Sequence, residues 1–360
     1  MTNKLRKNFL NVFFSLTGNL TKILGFFRQE NSYNSFTLKL KYSIPSFNRY
    51  ISKNIREYST SCKTYKLNSW WVTGFADGES TFMIKLKKRT NLTWQILPVF
   101  QIGLNAKDKD IIKEIKHFFN DVGIISFDTK NNKVYFTVNK IKDLNDYIIP
   151  HFESYPLQSN KFIDYKLWSE SVRIMVVKDH LKEPGLYRII SLKTALNRGI
   201  SQKLKEEFPN IAVLERPELN SSLDLLDNYW IAGFCAAEGS FNVSINEKKD
   251  RKLPQVRARF TIGLNNRDEH LLIKIKDQLG IGRIYSVKAN PISNYEAGSL
   301  QEIKEKIIPF FDLYNLNGIK SHDFLDFKKV VYLMDNKEHL TDSGLLLIRD
   351  IKNSMNLRRK

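Results

Sequence analysis

The sequence predicts an α+β protein that contains one domain twice. The first observation is an internal repeat, in which four short blocks recur in the same order at an offset of 159 or 160 residues. The second is an alternation of apolar and polar residues in both copies, which is typical of a sheet with one buried and one solvated face. Repeated blocks in one order indicate a duplicated structural unit. The pairs begin at Trp71 and Trp230, Phe100 and Phe260, Ile148 and Ile307, and Lys178 and Lys337.

The repeat predicts the division of the chain. We expect a basic leader over residues 1–64, a first domain over 65–200, a linker over 201–228 and a second domain over 229–360. The linker contains Pro209, Pro217 and a Ser-Ser pair, which are typical of connecting segments. Each copy is expected to form a short helix, two long strands, a helix, two shorter strands and further helices.

Each copy opens with a short, largely uncharged helix that carries small residues four positions apart. Gly74 and Gly78 have this spacing in the first copy, and Gly233 and Ala237 have it in the second. Such spacing lets two helix backbones approach closely, so the two helices are expected to pack about a pseudo-twofold axis. Each helix ends in a carboxylate residue, which is Glu79 in the first copy and Glu238 in the second.

Those two carboxylates are candidate ligands of a divalent cation. A helix C-terminus leaves unpaired carbonyl groups and carries the negative end of the helix dipole. Oxygen ligands of this kind suit a hard divalent cation. The alternative is that each glutamate only caps a turn, but matching positions in two repeats favour the cation site.

Strands with a polar face are predicted directly after the two glutamates. Phe82, Ile84 and Leu86 alternate with polar or basic residues in the first copy, and Phe241, Val243 and Ile245 do so in the second. The following strand of the second copy alternates Arg257 and Arg259 with apolar residues. Helical spacing then predicts helices over 108–120 and 267–279.

The charge of the chain favours an anionic partner. Lys and Arg number 57 against 38 Asp and Glu, which gives a net charge of +19. Such a balance is typical of proteins that bind nucleic acid or an anionic membrane surface. Residues 1–60 hold ten basic and only two acidic residues, a composition typical of a mitochondrial transit peptide. A leader translated in frame from an upstream coding region is the competing interpretation.

Several function classes are disfavoured by the sequence. Two cysteines cannot build a disulfide framework, and the six histidines show no spacing typical of zinc ligands. There is no Gly-rich phosphate loop of the NTPase type. The longest uncharged run of the leader, residues 8–21, is too short for a membrane span, so no membrane partner is expected.

The segments 71–79 and 230–238 resemble the paired motifs of single-chain LAGLIDADG homing endonucleases. The likeness is greatest to the fungal mitochondrial group that includes I-OnuI. It extends through Tyr155-Pro156-Leu157 and the two blocks at Lys178 and Lys337, and it covers nearly everything from about residue 68 to the end. The resemblance implies two αββαββα domains whose sheets form a saddle over the DNA major groove, in a monomer with an internal pseudo-dimer.

The resemblance also implies an activity: Mg²⁺- or Mn²⁺-dependent hydrolysis of both strands at a specific DNA site in intron homing, within mitochondria. Glu79 and Glu238 match the family's metal-binding acids, and the carbonyl groups of Gly78 and Ala237 are expected to complete the coordination. Gln101, whose repeat partner is Thr261, matches a position where the family often has a polar residue near the attacking water. In a two-metal arrangement the ions polarise the phosphates and activate water.

The solvated strand faces are expected to read the DNA sequence. Arg and Lys pair with guanine, and Asn or Gln with adenine, in a groove wide enough for a β-ribbon. The candidate DNA contacts are Lys85, Lys87, Arg89, Gln101, Ser244, Asn246, Lys248, Arg257, Arg259 and Thr261.

One residue departs from the family pattern. Glycine usually follows the acid, as Gly239 does, but Ser80 stands there in the first copy. If that position needs positive φ, serine is strained by about 1 kcal/mol. Ser80 leaves open a DNA-binding protein that has lost catalysis. The resemblance leaves open an RNA-binding maturase that assists splicing of its group I intron, as some members of the family do, although the presence of both Glu79 and Glu238 favours the nuclease.

Overall fold

A computed structural model describes residues 67–90, 94–219, 224–247, 253–286 and 291–356 of the chain. The predicted leader, residues 1–64, and the predicted DNA contact Lys248 lie outside the described residues. Of the helices in these ranges, none has both the length and the apolar character needed to cross a membrane.

The two repeats have the same order of elements. The first contains α1 (Ser69–Glu79), β1 (Ser80–Lys88), β2 (Trp94–Asn105), α2 (Lys109–Phe118), β3 (Ile124–Asp128), β4 (Lys133–Val138), α3 (Ile149–Ser154), α4 (Lys161–Val176) and α5 (Glu183–Ala195). A short helix, α6 (Gln202–Glu207), lies within the predicted linker. The second contains α7 (Asn228–Glu238), β5 (Gly239–Asn246), β6 (Gln255–Asn265), α8 (Glu269–Leu279), β7 (Arg283–Ser286), β8 (Ile292–Ala297), α9 (Ile308–Leu313), α10 (Gly318–Asp335) and α11 (Asp342–Ser354). The predicted α+β class with a repeated domain is confirmed.

Each repeat builds one antiparallel four-stranded sheet. The strand orders are β1-β2-β4-β3 and β5-β6-β8-β7. The predicted alternation determines which side is buried: Phe82 and Ile84 of β1 are buried, as are Phe241 and Val243 of β5. The helices of each repeat cover the apolar side, and the polar side of each sheet remains open to solvent.

The two opening helices pack backbone against backbone. Each begins at a side-chain cap, since Asn68 Oδ1 accepts the N–H of Trp70 at 2.9 Å and Asp227 Oδ1 accepts that of Tyr229 at 2.8 Å. A Cβ atom on Gly74 would lie 2.0 Å from the Trp230 carbonyl oxygen, and one on Gly233 would lie 2.0 Å from that of Trp71. Only glycine permits this approach, which brings the two helix C-termini together.

The segment after α5 adds a small apolar core beneath one end of the first sheet. Ile190, Leu204 and Phe208 are buried there against Trp94, the first residue of β2. Lys88, the last residue of β1, donates to Glu207 of α6 at 2.6 Å. The predicted linker thus supports the outer end of the β1–β2 pair. At the corresponding place in the second repeat, Arg349 contacts Glu247 in an exposed ion pair at 3.4 Å.

Candidate active site

Glu79 and Glu238 lie side by side at the junction of the two repeats. Each is the last residue of its helix, α1 or α7, and a strand begins at the next residue. The glutamate of the second repeat lies over the end of the first helix, because a Cβ atom on Gly78 would be 3.3 Å from Glu238 Oε1. The pairing of α1 and α7 therefore brings together two carboxylates that are 159 positions apart in sequence.

The expectation of strain at Ser80 is wrong. Ser80 has φ −87° and ψ 162°, and its counterpart Gly239 has φ −71° and ψ 151°. Both residues leave the helix directly into extended backbone, which any residue adopts, so serine costs nothing in conformation here. The geometry therefore gives no support to strain at Ser80 as a cause of lost catalysis.

Burial disfavours the charged form of both acids and raises their pKa values. Burial, with a further contribution from Glu238, raises the pKa of Glu79 to about 7. Burial also raises the pKa of Glu238. Two adjacent carboxylates in a partly desolvated position bind protons, and equally other cations, more strongly than surface acids do.

Two lysines that sequence reasoning missed lie beside this acidic pair. Lys161 at the start of α4 donates from Nζ to the carbonyl oxygens of Ala76, at 3.1 Å, and Gly78, at 2.8 Å. Lys320 of α10 donates likewise to those of Ala237, at 3.1 Å, and Gly239, at 2.6 Å. Burial lowers the pKa of both lysines, while Glu79 and Glu238 oppose that shift.

The two lysines form hydrogen bonds to the carbonyl groups that were predicted as metal ligands. The carbonyl groups of Gly78 and Ala237 belong to the residues just before Glu79 and Glu238, and each already accepts a hydrogen bond from a lysine ammonium group. A carbonyl oxygen has two lone pairs, so one remains for another partner. The sequence did carry a signal for the lysines, because they stand at matching repeat positions.

The described residues contain no cluster of three or more His, Cys, Asp or Glu side chains that could enclose a metal ion. The acidic pair nevertheless fits Mg²⁺ or a similar ion, which proteins commonly hold through one or two carboxylates together with substrate phosphates and water. The predicted donor set, two carboxylates and two main-chain carbonyl oxygens, consists of hard oxygen ligands only, which is the chemistry that such an ion requires.

An asymmetric hydrogen-bond cluster links the repeats behind the acidic pair. Asp77 is buried and accepts from Trp230 Nε1 at 2.9 Å, and its remaining donors come from the segment after α3. The equivalent of Asp77 in the second repeat is Ala236, and the Nε1 group of Trp71 is buried without a partner. The difference between Asp77 and Ala236 can be read from the sequence. The hydrogen bond by which Asp77 joins the first repeat to Trp230 of the second cannot.

The predicted DNA contacts lie mostly on the open sheet faces. Lys85 and Lys87 are exposed on β1, and Arg89 is exposed just beyond its end. Ser244 and Asn246 of β5 stand opposite Arg257 and Gln255 of β6.

The two members of the predicted water-binding pair also lie in the sheets, one in each repeat. Gln101 Nε2 donates to Thr137 Oγ1 at 2.9 Å, and Thr261 Oγ1 accepts from Asn242 at 3.3 Å. These contacts suit base recognition as well as water.

Further polar residues share these faces through strand pairing. In the second repeat, Thr261 stands opposite Glu296, which stands opposite Arg283. In the first repeat, Gln101 stands opposite Thr137, which stands opposite Ile124. Sequence reasoning missed the β4, β7 and β8 members because those strands are short and because the pairing between strands, which brings their residues into one row, is not visible in the sequence.

Comparison with known proteins assigns the family. The LAGLIDADG endonuclease family matches residues 72–172 and 231–331. The chain is 36% identical over 307 residues to probable intron-encoded endonuclease 2 of Neurospora crassa, which is 82% of this chain and 67% of that protein. It is 33% identical over 292 residues to probable intron-encoded endonuclease 3 of the same fungus, 81% of this chain and 55% of that protein. The chain thus spans between half and two thirds of the length of these curated relatives.

A solved structure has the same fold. The I-SmaMI LAGLIDADG homing endonuclease bound to cleaved DNA superposes with a TM-score of 0.79 at 34% identity, over 82% of this chain and 99% of that one. I-SmaMI was also solved with uncleaved DNA in the presence of calcium ions, and as a double variant in which two lysines 159 residues apart are replaced by alanine. Lys161 and Lys320 are separated by the same number of residues.

Two repeats that meet at paired helices, with one acid at each helix end and a polar sheet face on either side, define a two-domain pseudo-dimer with a shared acidic centre. The chain belongs to the LAGLIDADG endonuclease family. The predicted enzyme class, a DNA endonuclease that hydrolyses phosphodiester bonds, is confirmed. The predicted single-chain architecture and the use of a divalent metal accord with the same comparisons.

Proposed function

We propose that the protein makes a site-specific double-strand break in DNA, with one strand hydrolysed on each side of the acidic pair. The observation that carries this proposal is the pairing of Glu79 and Glu238 by the helix contact at Gly74 and Gly233. One acid comes from each repeat, and a polar sheet face extends from each acid. This arrangement matches the symmetry of a duplex, in which two strands must be cut.

Mg²⁺ or Mn²⁺ is the proposed cofactor, held by the carboxylates of Glu79 and Glu238 and by the carbonyl oxygens of Gly78 and Ala237. When bound, such ions supply Lewis-acid polarisation of the phosphates and a water nucleophile of lowered pKa. The glutamates orient these groups, and their raised pKa values mean that cation binding displaces protons. Gln101 is proposed to hold a water molecule or a base edge beside this centre.

Lys161 and Lys320 are proposed to act as fixed positive charges at the centre. Each is anchored by two hydrogen bonds to main-chain carbonyl oxygens, so its ammonium group cannot move freely. A fixed cation in a partly desolvated site stabilises the charge that develops on a phosphate during hydrolysis. This role also explains why two lysines are held close to the ends of α1 and α7.

The sheet faces are proposed to bind the major groove on both sides of the cleavage site. Readout is assigned to the predicted contacts on the described strands, with Arg89 contacting the backbone or bases beyond them; contact by Lys248 stays a prediction from the sequence. The proposed substrate is the DNA junction into which the encoding intron inserts. Mitochondria are the proposed location, since similar proteins include a mitochondrial protein of Saccharomyces cerevisiae.

Binding of group I intron RNA, the second partner that the sequence suggested, stays a prediction.

Cleavage assays with the full chain test the proposed nuclease activity. The full-length protein, mixed with duplex DNA that spans the intron-insertion junction, is expected to cut both strands when Mg²⁺ is added. Glu238→Gln should bind the duplex with unchanged affinity but fail to cut it, whereas the exposed-site control Glu218→Gln should cut normally. Tight duplex binding without cleavage by the unmodified protein, with either Mg²⁺ or Mn²⁺, would contradict the proposed activity.

A further inference from the structure

A carboxylate lies on the polar sheet face of the second repeat, among the cations proposed to contact DNA. Glu296 of β8 accepts a hydrogen bond from Arg283 Nη2 of β7 at 2.8 Å. Its second oxygen lies 3.9 Å from Arg259 Nη1 of β6. The Glu296 side chain is only 11% exposed, whereas Arg283 and Arg259 are 74% and 37% exposed. A single, largely buried carboxylate therefore contacts two arginines whose side chains are exposed to solvent.

The position of this cluster relates it to the cleavage centre. Strand pairing places Ser240, Thr261, Glu296 and Arg283 in one row across the sheet, which we call the inner row. It begins two residues after Glu238, so it is the polar row nearest to the acidic pair. Side chains directly opposite one another in a sheet share a face, and the inner row would face the base pairs next to the cleavage site.

The first repeat has a different inner row. It contains Thr81, Gln101, Thr137 and Ile124, and none of these side chains is charged. Gln101 is fixed by its hydrogen bond to Thr137, and Ile124 is 59% exposed. The two halves of the pseudo-dimer thus present different chemistry to the two sides of one target.

An acid on a surface that meets DNA weakens the attraction for phosphates. It can, however, fix the direction of an arginine, because a charge-assisted hydrogen bond restricts the guanidinium group. Arg283 is held from a second side as well, since its guanidinium carbon lies 5.9 Å from the centre of the Tyr285 ring. The bond to Glu296 occupies one of five guanidinium N–H donors, which leaves the rest to meet a base.

We propose that Glu296 is a positioning residue for sequence readout, which holds Arg283 of the inner row and Arg259, opposite Asn242 in the next row, so that they recognise guanine in the base pairs near the cleavage site on the second repeat's side. This inference rests on the proposed function, since it requires a DNA duplex along the sheet. Arginine pairs bidentately with guanine O6 and N7 in the major groove. The uncharged inner row of the first repeat, with its exposed isoleucine, favours contact with a thymine methyl group instead.

Removing the charge of Glu296 should have two opposite effects. The Glu296→Gln variant should bind unrelated duplexes more tightly, and the slope of log affinity against log salt should steepen by about 0.9, because one more cation is free to meet phosphate. Discrimination for guanine at the positions facing the inner row should fall by about tenfold or more, the range expected for a lost bidentate contact. A residue with a merely structural role would not separate affinity from specificity in this way.

The test is selection of bound sequences from a randomised duplex pool by the full-length protein. Glu296→Gln and Arg283→Lys should both lose guanine enrichment on one side of the centre and keep the enriched bases on the other side. Arg283→Lys keeps the positive charge but removes the guanidinium group. Because the Arg283 side chain is exposed, the substitution should leave the stability of the fold unchanged and test only the bidentate contact. Asp335→Asn is the matched control, because it removes a carboxylate of α10 that pairs with Lys304 away from the sheet face. This variant should enrich the same motif as the unmodified protein.

The outcomes separate the inference from the function on which it rests. An unmodified protein that enriches no motif would overturn the proposed site-specific function and this inference with it. A clear motif that keeps its guanine preference in Glu296→Gln and Arg283→Lys would overturn the inference alone. A lower melting temperature of Glu296→Gln with an unchanged motif would do the same, because it would assign Glu296 a purely structural role.

Discussion

Asp77 is expected to be the most stability-critical polar residue of the contact between the repeats. Its Oδ1 accepts from the N–H of Ser159, at 3.1 Å, and from Ser159 Oγ, at 2.6 Å. Its Oδ2 accepts from the N–H of Gln158, at 2.8 Å, and from Trp230 Nε1, at 2.9 Å. Burial raises the pKa of Asp77, and the hydrogen bonds from Ser159 and Gln158 oppose that shift. The side chain is 4% exposed, so water cannot replace a lost partner.

The Asp77→Asn substitution tests this arrangement at constant size. With the amide NH₂ group on the Ser159 side, Ser159 Oγ can turn and accept from it, so the N–H of Ser159 is the one buried donor left unpaired, whereas the opposite orientation leaves both Gln158 N–H and Trp230 Nε1–H unpaired. An unsatisfied buried polar group costs roughly 1–3 kcal/mol. The variant should adopt the first orientation, so the free energy of unfolding should fall by about 1–3 kcal/mol.

Equilibrium unfolding in urea measures this quantity. Asp110→Asn is the control, since Asp110 is an exposed helix residue and should change the unfolding free energy by less than about 0.5 kcal/mol. Loss of under about 1 kcal/mol in Asp77→Asn would show that the four contacts do not hold the repeats together.

Three further predictions concern the helix pair, the linker core and the acidic pair. Gly74→Ala should lower the unfolding free energy by about 3 kcal/mol or more, because its Cβ atom would lie 2.0 Å from a carbonyl oxygen; a melting curve like that of the unmodified protein would refute the helix contact. Phe208→Ala should cost roughly 3 kcal/mol and speed amide exchange at the outer end of β1 and β2, whereas Arg349→Ala should leave the second sheet unchanged. Since the folded pKa of Glu79 is about 7 against 4.5 as its ordinary value, the metal-free protein should lose stability as pH rises from about 4.5 to 7. Glu79→Gln should flatten that slope, and metal affinity measured by calorimetry should rise with pH up to about 7 and then level off.

The elements that the sequence predicted are those whose signal is local. The apolar alternation of β1, β5 and β6 and the helical spacing of α2 and α8 were read directly, and the observed helices agree with the predicted ranges within two residues. The small residues in the opening helices predicted the contact of α1 with α7, because only short side chains let two backbones touch. The repeat then made Glu79 and Glu238 partners.

The remaining features depend on contacts between distant segments. Lys161 bonds to Gly78 across 83 positions of sequence, and Glu296 and Arg283 meet only because β7 pairs with β8. The mistaken strain at Ser80 has the same origin, since the course of the backbone from helix into strand is decided by how the sheet docks below the helix pair.

The sequence by itself determined that this protein consists of two copies of one α+β domain, with an acidic residue at the end of each opening helix. These properties follow from periodicity and repetition, which act over a few residues or between identical copies. Only the tertiary structure decided which groups meet: two lysines beside the acids, a one-sided Asp77–Trp230 link, and the contacts of Arg259 and Arg283 with Glu296 on the second sheet. Such groups meet through packing of elements far apart in the chain, and no local pattern encodes their distance or direction.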